Sequence, residues 1–236
     1  IEEIPMGLMT TPIFMFLRRA GRRAGLNKLI ARFVLGKGYE TKYENKFMNE
    51  LLPNDCIWDV GANIGHYTKI FSSKVGDSGI VCAFEPSPIN YAILKKNCKS
   101  LNNIFLFNFG LGEKKEKISF QQGTDDIGAT SRILDSNSDG IEVNVCVGFD
   151  LIEQNIAKSP TAIKIDVEGY EYEVIKGFSN YLNDAKLHLI GIEIHFEILK
   201  DRGIEDAPGS IEKILVEKGF NIDWTDPSHI VATRDT

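Results

Sequence analysis

Cys56-Ile-Trp-Asp-Val-Gly-Ala-Asn-Ile-Gly65 is the stretch on which the reading of this chain turns. Its apolar run, Cys56 to Val60, is interrupted only by Asp59, and two glycines, Gly61 and Gly65, follow. A helical pattern then begins through Tyr67, Ile70 and Phe71. Strand, tight glycine turn and helix in that order form the first crossover of a nucleotide-type α/β fold. Glycine suits the turn because a Cβ would obstruct both the bend and the approach of a ligand to the backbone. The spacing is Gly-x-Asn-x-Gly, which departs from the Gly-x-Gly-x-x-Gly that accommodates a pyrophosphate. That departure favours a cofactor with an adenosine and no phosphate, S-adenosylmethionine being the obvious one. A plain strand-to-helix turn can carry the same glycines, so the motif needs support from its surroundings.

Downstream, the same unit recurs. Gly79 to Phe84 reads as a second strand ending at Glu85-Pro86, and Pro88 starts a helix through Tyr91, Ile93, Leu94 and Cys98, proline being tolerated in a first turn. Ile104 to Phe107 is a third strand, running into Asn108-Phe-Gly-Leu-Gly112. This alternation predicts a parallel sheet with right-handed crossovers. From Glu113 to Ala162 the pattern changes: Lys117–Gln121 and Ile141–Val147 alternate like antiparallel strands around a stretch rich in Gly, Ser and Asp. An excursion of that length near a ligand face is usually a functional loop or lid. Ala162 to Ile165 is a fourth strand, followed by a helix that a glycine cap at Gly177 should end. Leu187 to Ile194 is a fifth. Ser210 should cap a last helix, and Phe220–Trp224 with His229–Ala232 should close the sheet as an antiparallel pair across Asp226-Pro227.

Upstream, Tyr43 to Leu52 reads as a short helix and residues 1–38 stand apart. Leu8, Met9, Ile13, Phe14, Phe16 and Leu17 precede Arg18, Arg19, Arg22, Arg23, Lys28 and Arg32. Such a basic amphipathic segment suits peripheral contact with an anionic membrane surface. Packing on the domain or on a second subunit, in a homo-oligomer, is the competing expectation. Before Asn49 there are nine basic and four acidic side chains, so the rest of the chain holds the acidic excess. Over all 236 residues the formal net charge is -6 and the pI about 5.3, which argues against a general nucleic-acid binder. Charged residues at 25% and hydrophobic ones at 43% describe an ordinary globular chain. Cys56, Cys82, Cys98 and Cys146 show no Cys-x-x-Cys pairing, as expected of buried thiols in a reducing, cytoplasmic setting. No apolar run is long enough to span a bilayer. The first residue is Ile1 and not Met, so native residues are expected before it.

Ligands of open α/β sheets bind beyond the carboxyl ends of the strands. Polar residues collect at those ends in five successive strands: Asp59, Glu85, Asn108, Asp166, and Glu193 with His195. Asp59-Val-Gly-Ala-Asn-Ile-Gly65, Phe84-Glu-Pro86, Ile163-Lys-Ile-Asp-Val-Glu-Gly169 with Glu171, and Ile192-Glu-Ile-His195 resemble the FkbM family of methyltransferases. The likeness runs from about Tyr39 to Arg234, and Phe149-Asp150 stands where that family usually has Leu-Asp. It implies a Rossmann-like class I methyltransferase. That fold has a mostly parallel seven-stranded sheet, helices on both faces, an antiparallel closing pair and, here, an inserted hairpin or lid and an N-terminal helical appendage. It also implies O-methyl transfer from S-adenosylmethionine, often to a sugar hydroxyl of a glycan, glycolipid or natural product.

Carried over by position, the resemblance puts Asp59, Gly61, Ala62, Asn63 and Gly65 at the methionine half of the cofactor. Glu85, beside Pro86, would take the ribose, Asn108 and Phe109 would flank the adenine, and Asp166 would sit near the cofactor's amino group or the acceptor. A sugar hydroxyl is a poor nucleophile at neutral pH, so a base or a metal ion should assist. Glu193 and His195 lie two apart and point to one side, with Asp166 and Glu168 at the neighbouring strand end. His195 is the expected general base, with Glu193 orienting its ring. A divalent ion (Mg²⁺ or Mn²⁺) held by Asp166, Glu193 and His195 is the competing account. His66 could reach the same cleft, while His188 and His229 carry no motif and are expected to be structural. Two rivals stand beside this reading: a methyltransferase of another substrate class, small molecule or nucleic acid, and a non-catalytic cofactor-binding module.

Overall fold

A computed structural model describes residues 39–121, 132–134 and 140–234. The basic segment 1–38 and most of the Gly- and Ser-rich stretch before Gly140 lie outside the described residues. The elements are α1 (Tyr39–Glu50), β1 (Cys56–Val60), α2 (His66–Val75), β2 (Ile80–Phe84), α3 (Pro88–Asn97), β3 (Ile104–Phe107), β4 (Gly110–Gly112), β5 (Glu116–Gln121), β6 (Arg132–Leu134), β7 (Ile141–Val147), α4 (Gly148–Glu153), β8 (Ala162–Ile165), α5 (Glu171–Phe178), a 3-10 turn (Ser179–Asn183), β9 (Leu189–Glu193), α6 (Phe196–Asp201), α7 (Ala207–Glu217), β10 (Asn221–Asp226) and β11 (His229–Thr233).

Seven strands form one sheet in the order β10-β11-β9-β8-β1-β2-β3. The five strands from β3 to β9 pair in parallel, and β11 is antiparallel to both β9 and β10. The expected closing pair is therefore present. Strands buried on both faces read as near-continuous apolar runs, and β1 is buried throughout, with Asp59 its one charged residue. Trp58 and Val60 face one layer with Phe178 and Ile165, while Ile57 faces the other with Phe47, Phe71 and Val81. Trp58 is fully buried and its indole N–H donates to the Lys158 carbonyl at 2.7 Å, so its one polar atom is satisfied.

α1 covers the sheet with Tyr43 and Phe47, four apart on one helix face, and Leu51 just past its end continues that face. It can settle on β9 only because residue 191 is glycine: a Cβ there would stand 2.5 Å from the Tyr43 hydroxyl and the Phe47 ring. Two expectations are corrected at helix ends. Gly177 does not end α5 but lies in its last turn, where a Cβ would come within 2.0 Å of the Gly112 carbonyl oxygen. Close packing of α5 on β4, and not chain reversal, is what requires glycine there. The last helix also starts a turn before Ser210, after Asp206, because Pro208 fits a first turn that needs no amide donor.

The excursion after β3 is more than a hairpin. β4, β5, β6 and β7 make a second sheet in the order β4-β7-β5-β6, with β4 and β7 parallel. Among the described residues, no helix is long and apolar enough to cross a membrane, and all four cysteines are free, three of them buried.

Candidate active site

Sheet register places the polar strand ends side by side. Asp59 pairs across from Lys164, and Lys164 from Gly191. One step of the pleat further, Glu193 stands opposite His229. Residues two apart along a strand share a face, so Asp166, Glu193 and His229 form the next row towards the carboxyl ends.

The cofactor half is built from the turn after β1. Gly61 has φ +84°, and a Cβ on it would lie 1.8 Å from the Asp166 carbonyl oxygen. Gly65 has φ +88° and its missing Cβ leaves room for Leu94, while Asn63 takes φ +50° without being glycine. Gly61 and Ala62 donate their amides to the Phe84 carbonyl, which ties the turn to β2. Glu85 is buried, and its two oxygens accept from the backbone amides of Asn63 at 2.8 Å and Ser87 at 2.9 Å. Burial pushes its carboxyl up to about 7 against the pull of those two amides. Asn108 donates its side-chain amide to the carbonyls of Glu85 and Pro86. Phe109 packs on Phe84 and Phe107. His66 is exposed at the start of α2, edge-on to Tyr67.

Asp59 is fully buried; its Oδ2 accepts from Thr68 at 2.6 Å. Its Oδ1 and the Oδ1 of Asn63 are buried acceptors with no hydrogen bond among the described residues. A backbone cradle that a Cβ would fill, flanked by the Asp59 carboxylate and the buried Asn63 acceptor, fits the ammonium and methionine end of S-adenosylmethionine.

Lys164 lies in the Ile163–Gly169 motif, and the sequence reading gave it no role. Its ammonium is buried between Asp166 Oδ2 at 3.3 Å and Asp59 Oδ1 at 3.5 Å. Burial works against that charge, but Asp166 and Asp59 outweigh it and push the group up to about 12.

His195 lies just past β9, at the start of α6, and is buried. Its Nδ1 is 2.7 Å from Glu171 Oε1, and Nε2 is 3.2 Å from Glu168 Oε2. Nε2 also lies 3.8 Å from both Asp166 Oδ1 and Glu193 Oε1. The four expected catalytic residues therefore meet. The residue that orients the ring is Glu171, however, and not Glu193. Burial disfavours the charged imidazole, yet Glu171, Glu168 and Glu193 outweigh it and push the group up to about 10.

His229 belongs to the same network. Its Nδ1 is 2.9 Å from Asp226 and its Nε2 is 3.5 Å from Glu193. Burial opposes its charge, but hydrogen bonds to Asp226 and Glu193 prevail and push it up to about 9. Glu193 is in turn drawn down to about 2, because His229 and His195 overcome the effect of its burial. Tyr43 of α1 stacks on the His229 ring at 4.4 Å. His188 is elsewhere, bonded to Asp55 at 3.1 Å.

The loop 166–170 that carries the acidic pair is braced from α6. Arg202 bonds the Gly169 carbonyl and pairs with Glu173, and a Cβ on Gly169 would stand 2.4 Å from Ile198. Among the described residues around the cleft, Asp59, Asp166, Glu168, Glu171, Glu193 and Asp226 pair with Lys164, His195 and His229. Within this described set the acids outnumber the bases even with every base charged, which favours a cationic ligand.

This fold and site define a class I methyltransferase that uses S-adenosylmethionine. Residues 59–222 match the Methyltransferase FkbM domain, and the chain belongs to that family. It is 29% identical over 179 residues to the hexuronic acid methyltransferase AglP of Haloferax volcanii, covering 75% of this chain and 68% of that one. It is 24% identical over 204 residues to Methyltransferase 1 of Beauveria bassiana, covering 74% and 78%. Among solved structures the fold is shared with a candidate rRNA-methylase of Clostridium thermocellum, at TM-score 0.53 and 12% identity over 84% of this chain and 97% of that one. It is shared too with SMU.1697c of Streptococcus mutans in complex with SAH, at TM-score 0.51 and 13% identity over 83% and 97%.

Proposed function

We propose that the chain transfers the methyl group of S-adenosylmethionine to a hydroxyl of a sugar, in a glycan, glycolipid or natural product. The observation that carries the reading is the acid-rich row of strand ends beside a glycine cradle. The cradle suits the methionine end of the cofactor, and the row suits a hydroxyl-bearing acceptor that must be held and deprotonated. The printed activity of AglP, hexuronic acid methylation, supports a sugar as acceptor.

In this reading Asp59, Gly61, Asn63 and Gly65 receive the methionine half, Glu85 the ribose, and Phe109 the adenine. The acceptor lies over the ends of β8 and β9. Its oxygen attacks the methyl carbon while the carbon–sulfur bond breaks. The bonding pair goes to sulfur, leaving a neutral thioether, and the hydroxyl proton passes to a carboxylate of the acid-rich row. Aligning oxygen, carbon and sulfur contributes about 7–11 kcal/mol of the barrier reduction in well-oriented reactions. Loss of the positive charge at sulfur weakens the attraction to the acidic cleft and favours product release.

The test is incubation with radiolabelled S-adenosylmethionine and a panel of uronic acids, neutral glycans, lipid-linked sugars, small phenols and RNA. Alkali-stable label on a sugar supports the reading; label only on a phenol or RNA overturns it.

A further inference from the structure

We propose that Asp166, Glu168 and His195 form a binding site for one divalent metal ion of the Mn²⁺ or Mg²⁺ kind. One donor atom from each of the three lies within 4.8 Å of the others. Donors around such an ion stand about 2.0–2.2 Å from it, hence roughly 3–4.4 Å from one another. The three need move only by fractions of an ångström to close on it. Glu193, the third ligand expected from sequence spacing, is instead drawn to His229, and Glu168 takes its place.

The imidazole is prepared for this task. Its Nδ1 faces Glu171 Oε1 at 2.7 Å, and that same oxygen accepts the Gly169 amide at 2.8 Å. Glu171 is completely buried, so the ring cannot swing away. A histidine ligand held by a carboxylate on its other nitrogen is the usual support for a metal. The second nitrogen, Nε2, is thereby aimed at Glu168 and Asp166, which are only partly buried and open towards the cleft. The two oxygens of Asp166 divide their work: Oδ2 meets Lys164, and Oδ1 is turned towards His195.

A separate observation points the same way. The second oxygen of Glu171, Oε2, is buried and has no hydrogen bond among the described residues. The carboxylate behind the ring therefore keeps charge that its neighbours leave unanswered, and a cation on the far side of that ring offsets it. Two carboxylates and one imidazole, with no thiolate, select a hard or borderline ion. Bound there, it would lower the pKa of an acceptor hydroxyl. Only that last role rests on the function proposed above; binding of the ion does not.

Full-length protein stripped with chelator and titrated with Mn²⁺, followed by the electron paramagnetic resonance of the free ion, tests the site. One ion per chain is expected, with Mg²⁺ competing for it. His195→Ala and Glu168→Gln should weaken binding by at least tenfold, and Glu171→Gln by about 10–100-fold as a positioning residue. SAH binding, measured by calorimetry on the same samples, reports whether each variant is folded. Absence of stoichiometric uptake by the wild type, or equal uptake by folded variants, overturns the site. SAH binding without Mn²⁺ uptake sinks the metal alone. Mn²⁺ uptake without SAH binding sinks the methyltransfer reading and leaves the metal standing.

Discussion

Around Gly61 the protein works with backbone, whereas around His195 it works with charge. The cofactor half consists of a left-handed turn, the Gly61 and Ala62 amides that tie it to β2, and one buried carboxylate held by the amides of Asn63 and Ser87. Nearly all of it comes from residues 59–87, so it is local in sequence. The acceptor half draws Asp166 and Glu168 from one loop, Glu171 from the start of α5, Glu193 and His195 from β9 and its end, and Asp226 and His229 from the closing pair. A backbone cradle is defined by shape and tolerates no Cβ. A charge network is defined by balance and tolerates no missing partner. The two halves should therefore fail differently when altered.

The largest loss is expected from Glu171→Ala. Removing one partner of a buried ion pair leaves the other uncompensated and costs about 3–5 kcal/mol. Chemical denaturation should show that loss, with SAH affinity in the folded fraction nearly unchanged. Gly61→Ala should come next. A contact of 1.8 Å with the Asp166 carbonyl, at φ +84°, costs about 3 kcal/mol through overpacking and backbone strain. SAH binding should vanish, since the turn itself is displaced. If Gly61→Ala binds SAH as wild type does, the cradle is in the wrong place.

Glu85→Ala should leave the fold in place and weaken SAH by about 1.5–3 kcal/mol for each ribose hydrogen bond lost. Calorimetry that finds equal affinity removes Glu85 from the ribose site. The same residue sets a pH dependence. Its carboxyl lies near 7, raised by burial, with the Asn63 and Ser87 amides and Lys164 opposing and Asp59 reinforcing. Ribose hydroxyls donate best to the ionised form, so SAH should bind more tightly as pH rises from 6 to 8, by about tenfold. Proton release on binding, read in buffers of different ionisation enthalpy, checks the sign. Stability responds in the opposite sense: between about 4.5 and 7 the native carboxyl keeps a proton that the unfolded chain has lost, so stability falls as pH rises.

The smallest effect is expected in the second sheet. Lys117 and Glu142 pair at 2.6 Å, but both side chains are more than 60% exposed. Lys117→Ala should cost less than about 1 kcal/mol. A larger shift in the melting curve would show that the inserted sheet is braced by charge as the acceptor half is.

The amino-acid sequence alone determined the elements whose cause is local. The glycine turn, the five parallel strands and the closing pair follow from periodicity and turn chemistry within windows of a few residues. The strand-end acids were legible because an α/β sheet puts its ligands at one edge. Tertiary structure alone decided which of those charges meet. Glu171, in a motif already singled out, became the partner of His195 only because α5 and α6 start side by side. His229, without any motif, entered the site because antiparallel register sets it opposite Glu193. Lys164 points into the cleft because its neighbours across the sheet are Asp59 and a glycine. Tyr43 reaches His229 from a helix before the matched family region, through the space that Gly191 leaves. Charge pairing depends on distance in space between residues far apart in the chain, and local pattern carries no information about that distance until the sheet is assembled.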